Sequence, residues 1–276
     1  MLSPQVSGLC HDTGSINNMK IAISGKGGVG KTTLAGVMAR ILAARGYKVL
    51  AIDADPDSNL ASAIGIEREL MGSTKPLAQM KEFIEERTSA KKGTYGSFFK
   101  LNPRVDDIPE LFAVEKYGIR LVVLGNIQQG GGGCFCPENV LLKSLLSYIF
   151  IERDESVIVD MEAGLEHLGR GTTEYVDALI VVVEPGQRSF QTAHQVKRLS
   201  ADLGIKNLYI VGNKVMDESD EKLIRESLEG FTFLGFMSYN EKIIEADKLG
   251  VSPYDIDTKI KAEVEHIIDN LYKQVI

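Results

Sequence analysis

Short apolar runs alternate with stretches of helical periodicity from Met19 to the end of the chain. Seven of the apolar runs predict strands, at residues 20–24, 48–53, 119–124, 157–160, 178–183, 208–212 and 232–235. Helical stretches separate most of them, among them residues 32–45, 138–151 and 259–276. Strands that are apolar throughout are buried on both faces. The pattern therefore predicts an α/β fold, with a mostly parallel sheet and helices on both faces.

Two segments do not follow this alternation of predicted strands and helices. Residues 1–18 are rich in Ser, Gly and Asn and have neither the basic region nor the apolar stretch of a secretory signal, so we expect a disordered leader or tag. This interpretation excludes Cys10 from the chemistry. Residues 19–276 are expected to form a single domain. Within it, the polar residues 67–117 are interpreted as an insertion with one helix, at residues 77–88, and loops.

A glycine-rich turn lies between the first predicted strand and the first predicted helix. Residues 25–32 read GKGGVGKT, which fits the phosphate-loop pattern G-x-x-x-x-G-K-[ST]. Glycines let successive backbone N–H groups face phosphate oxygens, and the helix N-terminus favours an anion. Lys31 is expected to reach the β and γ phosphates and the Thr32 hydroxyl to ligate Mg²⁺. The predicted nucleotide-binding residues of this turn are Gly25, Lys26, Gly27, Gly28, Val29, Gly30, Lys31, Thr32 and Thr33.

Polar residues follow several other predicted strands. Asp160 closes the apolar run 156–160, a Walker B pattern, and a carboxylate there can hold Mg²⁺ beside the phosphate loop. Asp53 ends another strand and is expected to support the ion through water, although an acidic turn that caps a helix is the alternative for residues 53–58. Asn213 and Lys214 follow a further strand, and Glu184 ends one more, all on the ligand side of such a sheet.

A cysteine pair, Cys134 and Cys136, follows four consecutive glycines. Two thiolates one residue apart can chelate a soft or borderline metal, but two ligands rarely saturate it. The four histidines, at positions 11, 167, 194 and 266, supply nothing nearby. Two such pairs in a symmetric dimer would give a four-thiolate site, which Zn²⁺ also suits. Two incidental cysteines or a strained redox disulfide are the alternatives.

The composition restricts the function classes. A net charge of −7 argues against a general nucleic-acid coat, and no apolar run reaches the length of a transmembrane helix. Three cysteines favour a reducing compartment, so we expect a cytoplasmic protein. The amphipathic C-terminal helix has balanced charges and is expected to pack on the core. Neither a nucleic-acid nor a membrane partner is expected.

Taken together, these motifs resemble the deviant Walker A ATPases, the P-loop superfamily of MinD, ParA and the nitrogenase iron protein. The stretches KGGVGKT, DADPDSN, CFC and VDMEAGLEHLGRGT resemble in particular the CooC-type accessory ATPases, which mature nickel carbon monoxide dehydrogenase. The resemblance covers nearly all of residues 19–276, which would then be a single P-loop ATPase domain.

The resemblance implies roles for individual residues. Lys26 would cross a dimer interface to the partner's nucleotide, Asp55 would orient the attacking water, and Gly164 would sense the γ-phosphate. Asn213 would read the purine edge, with adenine as the base. Lys26, Lys31 and Asp55 are thus the predicted catalytic residues.

The same resemblance implies a cargo and a client. The protein would be an ATP- and Mg²⁺-dependent homodimer that carries Ni²⁺ on Cys134 and Cys136 of both chains. Carbon monoxide dehydrogenase would be the client, and acetyl-CoA synthase is the alternative. A Min- or Par-type positioning ATPase and an Mrp-type iron–sulfur carrier are the competing interpretations, although the latter has the wider Cys-x-x-Cys spacing.

Overall fold

The computed structural model describes residues 18–72, 74–90, 99–125, 136–163, 165 and 172–275. Within these residues lie eight strands and eleven α-helices. The strands are β1 Lys20–Gly25, β2 Val49–Ala54, β3 Val114–Lys116, β4 Ile119–Val123, β5 Ser156–Met161, β6 Ala178–Val183, β7 Leu208–Val215 and β8 Thr232–Ser238. The helices are α1 Lys31–Ala44, α2 Leu60–Ile64, α3 Arg68–Met71, α4 Lys81–Thr88, α5 Ile108–Phe112, α6 Pro137–Glu152, α7 Gln187–Leu203, α8 Glu218–Ser227, α9 Glu241–Leu249, α10 Pro253–Ile256 and α11 Thr258–Val275.

All eight strands form one sheet in the order β3-β4-β2-β5-β1-β6-β7-β8. Every neighbouring pair is parallel except β3 and β4, which are antiparallel at the edge. This confirms the predicted α/β fold with a mostly parallel sheet. The carboxyl ends of the seven parallel strands meet at one edge, where open α/β sheets bind ligands.

Helices cover both faces of the sheet, as predicted. One core contains alternate strand residues such as Ile21 and Ile23 together with apolar side chains of α1, α2 and α11. The other core contains the strand residues that point to the opposite face, such as Ala22, together with apolar side chains of α6 and α7. Because successive side chains of a strand point to opposite faces, a continuous apolar run supplies both cores at once.

The last helix packs on the sheet. Five of its apolar residues, Ile260, Val264, Ile267, Ile268 and Leu271, are buried, and Val275 is partly buried against the same core. This confirms the predicted core packing of the amphipathic helix. None of the helices in the described part of the chain is both long and apolar enough to cross a membrane.

The segment of residues 67–117 contains more structure than the sequence predicts. The predicted helix at residues 77–88 is wrong at its start, because Leu77–Gln79 form a 3-10 turn and α4 begins only at Lys81. The N–H groups of Gln79 and Met80 donate three residues back, to the carbonyls of Pro76 and Leu77 at 2.9 and 3.0 Å, and the N–H of Ala78 donates to the carbonyl of Leu124 at 2.9 Å. The prediction also missed α3, α5 and β3. The expected leader, residues 1–18, lies outside the described residues except for Asn18.

Candidate functional site

The phosphate loop joins β1 to α1 at the carboxyl edge of the sheet. Two of its glycines allow close approaches. A Cβ at Gly25 would lie 2.5 Å from the carbonyl oxygen of Val182, and one at Gly30 would lie 2.1 Å from Nδ2 of Asn213. Gly30 also has a φ of 99°, in the left-handed region that favours glycine. Only glycine fits at these positions, so the loop can lie against β6 and β7 while α1 begins immediately at Lys31.

Lys31 is almost fully buried at the start of α1. Its Nζ lies 3.4 Å from Oδ2 of Asp55 and 3.5 Å from the carbonyl oxygen of Lys26. The other carboxylate oxygen of Asp55 accepts from the N–H of Asp57 at 3.0 Å. The structure therefore brings together two predicted catalytic residues from the loops that follow β1 and β2.

Thr32 and Asp160 form the candidate magnesium site. The hydroxyl of Thr32 donates to Oδ2 of Asp160 at 2.6 Å, and Asp160 is fully buried. Its Oδ1 has no hydrogen-bond partner among the described residues. Burial raises the pKa of Asp160 to about 7, and the carboxylate of Asp53 adds to this effect. A buried, unmatched carboxylate oxygen beside a hydroxyl is a hard-oxygen donor set that fits Mg²⁺.

Asp53 organises the loop that contains Asp55. Its Oδ1 accepts from the N–H of Asp55 at 3.3 Å and its Oδ2 from the N–H of Leu60 at 3.0 Å. Burial raises the pKa of Asp53 to about 6 despite these two hydrogen bonds. Asp53 thus caps the first turn of α2 from the preceding strand. Its expected support of Mg²⁺ through water stays a prediction.

Asn213 supports the phosphate loop from β7. Its Nδ2 donates to the carbonyl of Val29 at 2.7 Å, and its Oδ1 accepts from the N–H of Lys214 at 2.8 Å. The carboxamide is therefore engaged with backbone groups in this structure. Its predicted contact with a purine stays a prediction.

Glu184, at the end of β6, joins two lysines beside the loop. Its Oε1 lies 3.2 Å from Nζ of Lys26, and its Oε2 lies 2.8 Å from Nζ of Lys214. Lys214 also donates to the carbonyl of Gly28 at 2.8 Å. Burial opposes ionisation of Glu184, but the hydrogen bonds from the two lysines outweigh it, and its pKa is lowered. The sequence placed Glu184 on the ligand side but gave no sign of its partners, since β6 adjoins β1 only in the folded sheet.

A cavity of about 530 Å³ opens beside these residues. The phosphate loop, Thr33 and Asp55 line one side. The end of β8, the residues that follow it and α9 line the other side, among them Ser238, Tyr239, Asn240, Ile243 and Ile244. This volume is within the range of small-ligand sites. Sequence reasoning missed the isoleucines of α9, whose helical periodicity does not distinguish a core residue from one that lines a cavity.

The cysteine pair lies only partly in the described residues. Cys136 is half-buried and immediately precedes α6, which begins at Pro137, one residue before its predicted start. Cys134 and Gly164 lie outside the described residues. In the part of the chain that the structure describes, no group of three or more His, Cys, Asp or Glu residues is arranged to hold a metal ion.

The start of the cysteine loop is tied to the nucleotide site. The N–H of Leu124 donates to the backbone carbonyl of Asp53 at 2.8 Å, and β4 is the neighbour of β2. Gly125, the last described residue before the cysteines, therefore lies at the same sheet edge as the phosphate loop.

Comparisons with known proteins agree with a nucleotide-binding site at this edge of the sheet. Residues 20–254 match the family model described as the CobQ/CobB/MinD/ParA nucleotide binding domain. The carbon monoxide dehydrogenase accessory protein CooC of Rhodospirillum rubrum is 46% identical over 257 residues, covering 93% of this chain and 97% of that protein. An uncharacterized ATP-binding protein of Methanocaldococcus jannaschii is 46% identical over 258 residues, covering 92% and 98%.

Solved structures share the fold at lower identity. The MinC:MinD cell division protein complex of Aquifex aeolicus aligns with a TM-score of 0.64 and 21% identity, over 93% of this chain and 95% of that one. A putative plasmid partition protein of Borrelia burgdorferi, bound to AMPPNP, aligns with a TM-score of 0.68 and 17% identity, over 94% and 100%.

Proposed function

Because the chain belongs to the CobQ/CobB/MinD/ParA nucleotide-binding family and is CooC-like, we propose that it is a homodimeric, ATP-hydrolysing metallochaperone for carbon monoxide dehydrogenase. The observation that carries the proposal is the 46% identity to the CooC accessory protein over 93% of this chain. Ni²⁺ is the proposed cargo, and acetyl-CoA synthase is the alternative client.

The nucleotide chemistry is assigned to residues at the carboxyl edge. Thr32 and Asp160 would hold Mg²⁺, which when bound offsets the negative charge of the phosphates. Lys31 would exchange its contact with Asp55 for the β and γ phosphates. Once Lys31 has left it, Asp55 would orient the attacking water. Its carboxylate lies 3.4 Å from Nζ of Lys31 and is therefore close to the phosphates that this lysine would reach. Lys26 would contact the nucleotide of the partner subunit, as a trans cation stabilises the transferring phosphoryl group.

The metal chemistry is assigned to the cysteine pair of each subunit. A symmetric dimer that brings Cys134 and Cys136 of both chains together would supply four thiolates to one ion. The hydrogen bond from Leu124 to the carbonyl of Asp53 would connect the two sites. Movement of the loop of residues 53–59 on hydrolysis would reach the start of the cysteine loop through β2 and β4. ATP hydrolysis would thus switch the affinity for the cargo ion.

The proposal is tested by an anaerobic Ni²⁺ titration of the reduced protein, with and without Mg²⁺-ATP. Bound nickel and oligomer mass are measured for the wild type and for the variant Cys134→Ala/Cys136→Ala. Cys10→Ala is the matched control, because it removes the only other thiol of the chain. We expect one Ni²⁺ per dimer, loss of that ion in the double variant and full retention in the control.

Two outcomes would contradict the proposal. Nickel binding that survives in the double variant would remove the cysteine pair from the mechanism. A brown protein that contains iron and sulfide would instead favour an iron–sulfur carrier. A parallel titration with Zn²⁺ measures the preference between the two ions, because tetrahedral thiolate sites also suit zinc.

A further inference from the structure

Glu184 forms a bridge between Lys26 and Lys214 at the side of the phosphate loop. Each carboxylate oxygen accepts from one lysine, at 3.2 Å from Lys26 and 2.8 Å from Lys214. Glu184 directly follows β6, which pairs with β1 in the same subunit. Lys26 is thus directed toward its own sheet, and its side chain is only 37% exposed.

This contact competes with the proposed role of Lys26. An ammonium group held against a carboxylate of its own subunit is not extended toward the nucleotide of a partner. The lysine must therefore leave Glu184 before it can bind in trans. Because the pair is partly exposed, it contributes little free energy and can be exchanged.

Lys214 makes the exchange reversible. Its Nζ is closer to Glu184 than that of Lys26, and it is also held by the carbonyl of Gly28. When Lys26 leaves, the half-buried carboxylate keeps a cation partner, so release does not leave an unpaired buried charge.

We propose that Glu184 is a positioning residue that retains Lys26 within its own subunit and so opposes nucleotide-dependent dimerisation. This inference rests on the proposed function, in which Lys26 acts in trans. In this arrangement the partner's phosphates replace Glu184 as the anion that Lys26 contacts when the subunits associate.

The test is the dimerisation constant of Glu184→Gln, which keeps the size of the side chain and removes its charge. Sedimentation velocity at saturating Mg²⁺ and a non-hydrolysable ATP analogue gives this constant for the wild type and the variant. One exposed ion pair corresponds to up to about fivefold in an equilibrium constant, and a dimer contains two. We therefore expect the variant to dimerise between about twofold and 25-fold more tightly, and the difference to shrink at high salt.

Two further variants make the result specific. Glu229→Gln is the matched control, because it removes the same charge from an exposed turn ahead of β8; its dimerisation constant should equal that of the wild type. Lys26→Ala should bind nucleotide but fail to dimerise.

The outcomes separate the two proposals. If Lys26→Ala dimerises normally, the trans lysine is wrong and this inference fails with it. If Lys26→Ala stays monomeric while Glu184→Gln dimerises as the wild type or more weakly, only the retaining role of Glu184 is overturned. A mere loss of local structure would weaken the dimer and so could not imitate the expected tightening.

Discussion

Asp160 should reduce the stability of the protein in the absence of magnesium and nucleotide. The carboxyl group is fully buried, and within the described part of the chain only its Oδ2 accepts a hydrogen bond, from Thr32. We predict that Asp160→Asn stabilises the fold at pH 8, because it removes a charge that the interior solvates poorly. The same change should remove the stabilisation that Mg²⁺-nucleotide gives to the wild type.

The magnitude follows from the pKa of this carboxyl group. Burial raises it from the ordinary 3.8 to about 7. The folded state therefore keeps a proton that the unfolded state has lost, and the free energy of unfolding falls as the pH rises through this window. The difference corresponds to roughly 4 kcal/mol. An asparagine leaves one buried amide group poorly satisfied at a cost of about 1–3 kcal/mol, so the net gain is about 1–3 kcal/mol.

The assay is thermal unfolding of the wild type and the variant from pH 5 to pH 8, without nucleotide. For a chain of this size 1 kcal/mol corresponds to about 2 °C, so the expected gain is a rise in Tm of roughly 2–6 °C at pH 8. It should shrink by up to about 1.4 kcal/mol for each unit of decreasing pH, because the wild-type carboxyl becomes protonated. Asp202→Asn on α7 is the matched control, since that residue is exposed, and its Tm should change little.

Two results would refute this reasoning. A variant that is less stable than the wild type at pH 8 would mean that the ionised carboxylate is already compensated in the fold. A gain that does not depend on pH would mean that its origin is packing rather than charge. A normal rise in Tm on addition of Mg²⁺-ADP to Asp160→Asn would separately remove Asp160 from the proposed magnesium site.

Three further predictions test other parts of the structure. Lys31→Ala should reduce phosphate release by roughly 100-fold or more, because Lys31 is the buried cation at the start of α1 whereas Lys26 and Lys214 are paired with Glu184, and retained turnover would disprove the phosphate-loop assignment. Gly30→Ala should weaken binding of a fluorescent ADP analogue, because its Cβ would lie 2.1 Å from Nδ2 of Asn213, whereas Gly46→Ala has equal backbone strain but open space and should bind normally. Ile267→Ala should lower the free energy of unfolding by about 2–5 kcal/mol in a urea titration, because the side chain is fully buried. A near-neutral change would contradict the packing of α11 on the core and would favour a membrane-binding role for this helix.

Local patterns were sufficient to predict most of the sheet. Each of the seven parallel strands was predicted from its own apolar run, because burial on both faces requires nearly every residue to be apolar. The edge strand β3 was missed for the same reason. It has three residues, none of them buried, and it pairs with β4 on one side only. Its polar composition therefore resembles that of a loop.

The phosphate loop could also be predicted, because its chemistry depends on a short contiguous motif. Glycines, a lysine and a hydroxyl in fixed order are enough to indicate phosphate and Mg²⁺. The partners of these residues depend on the order of the strands. Thr32 and Asp160 are 128 positions apart, and they meet because β5 lies beside β1.

The sequence by itself thus determined the fold class, the phosphate loop and the family, since each is written in local spacing of apolar residues, glycines and charges. Only the tertiary structure decided that Asp53 holds the backbone of its own loop, that Asn213 supports the phosphate loop, and that Glu184 pairs with Lys26. The contacts of Asn213 and Glu184 join chain segments that are distant in sequence, and such pairings arise only when strands become neighbours. The physical reason is that the local pattern of apolar and polar residues specifies which face of an element is buried. The order of the strands specifies which polar residues, each at the carboxyl end of its strand, lie next to one another at the edge of the sheet.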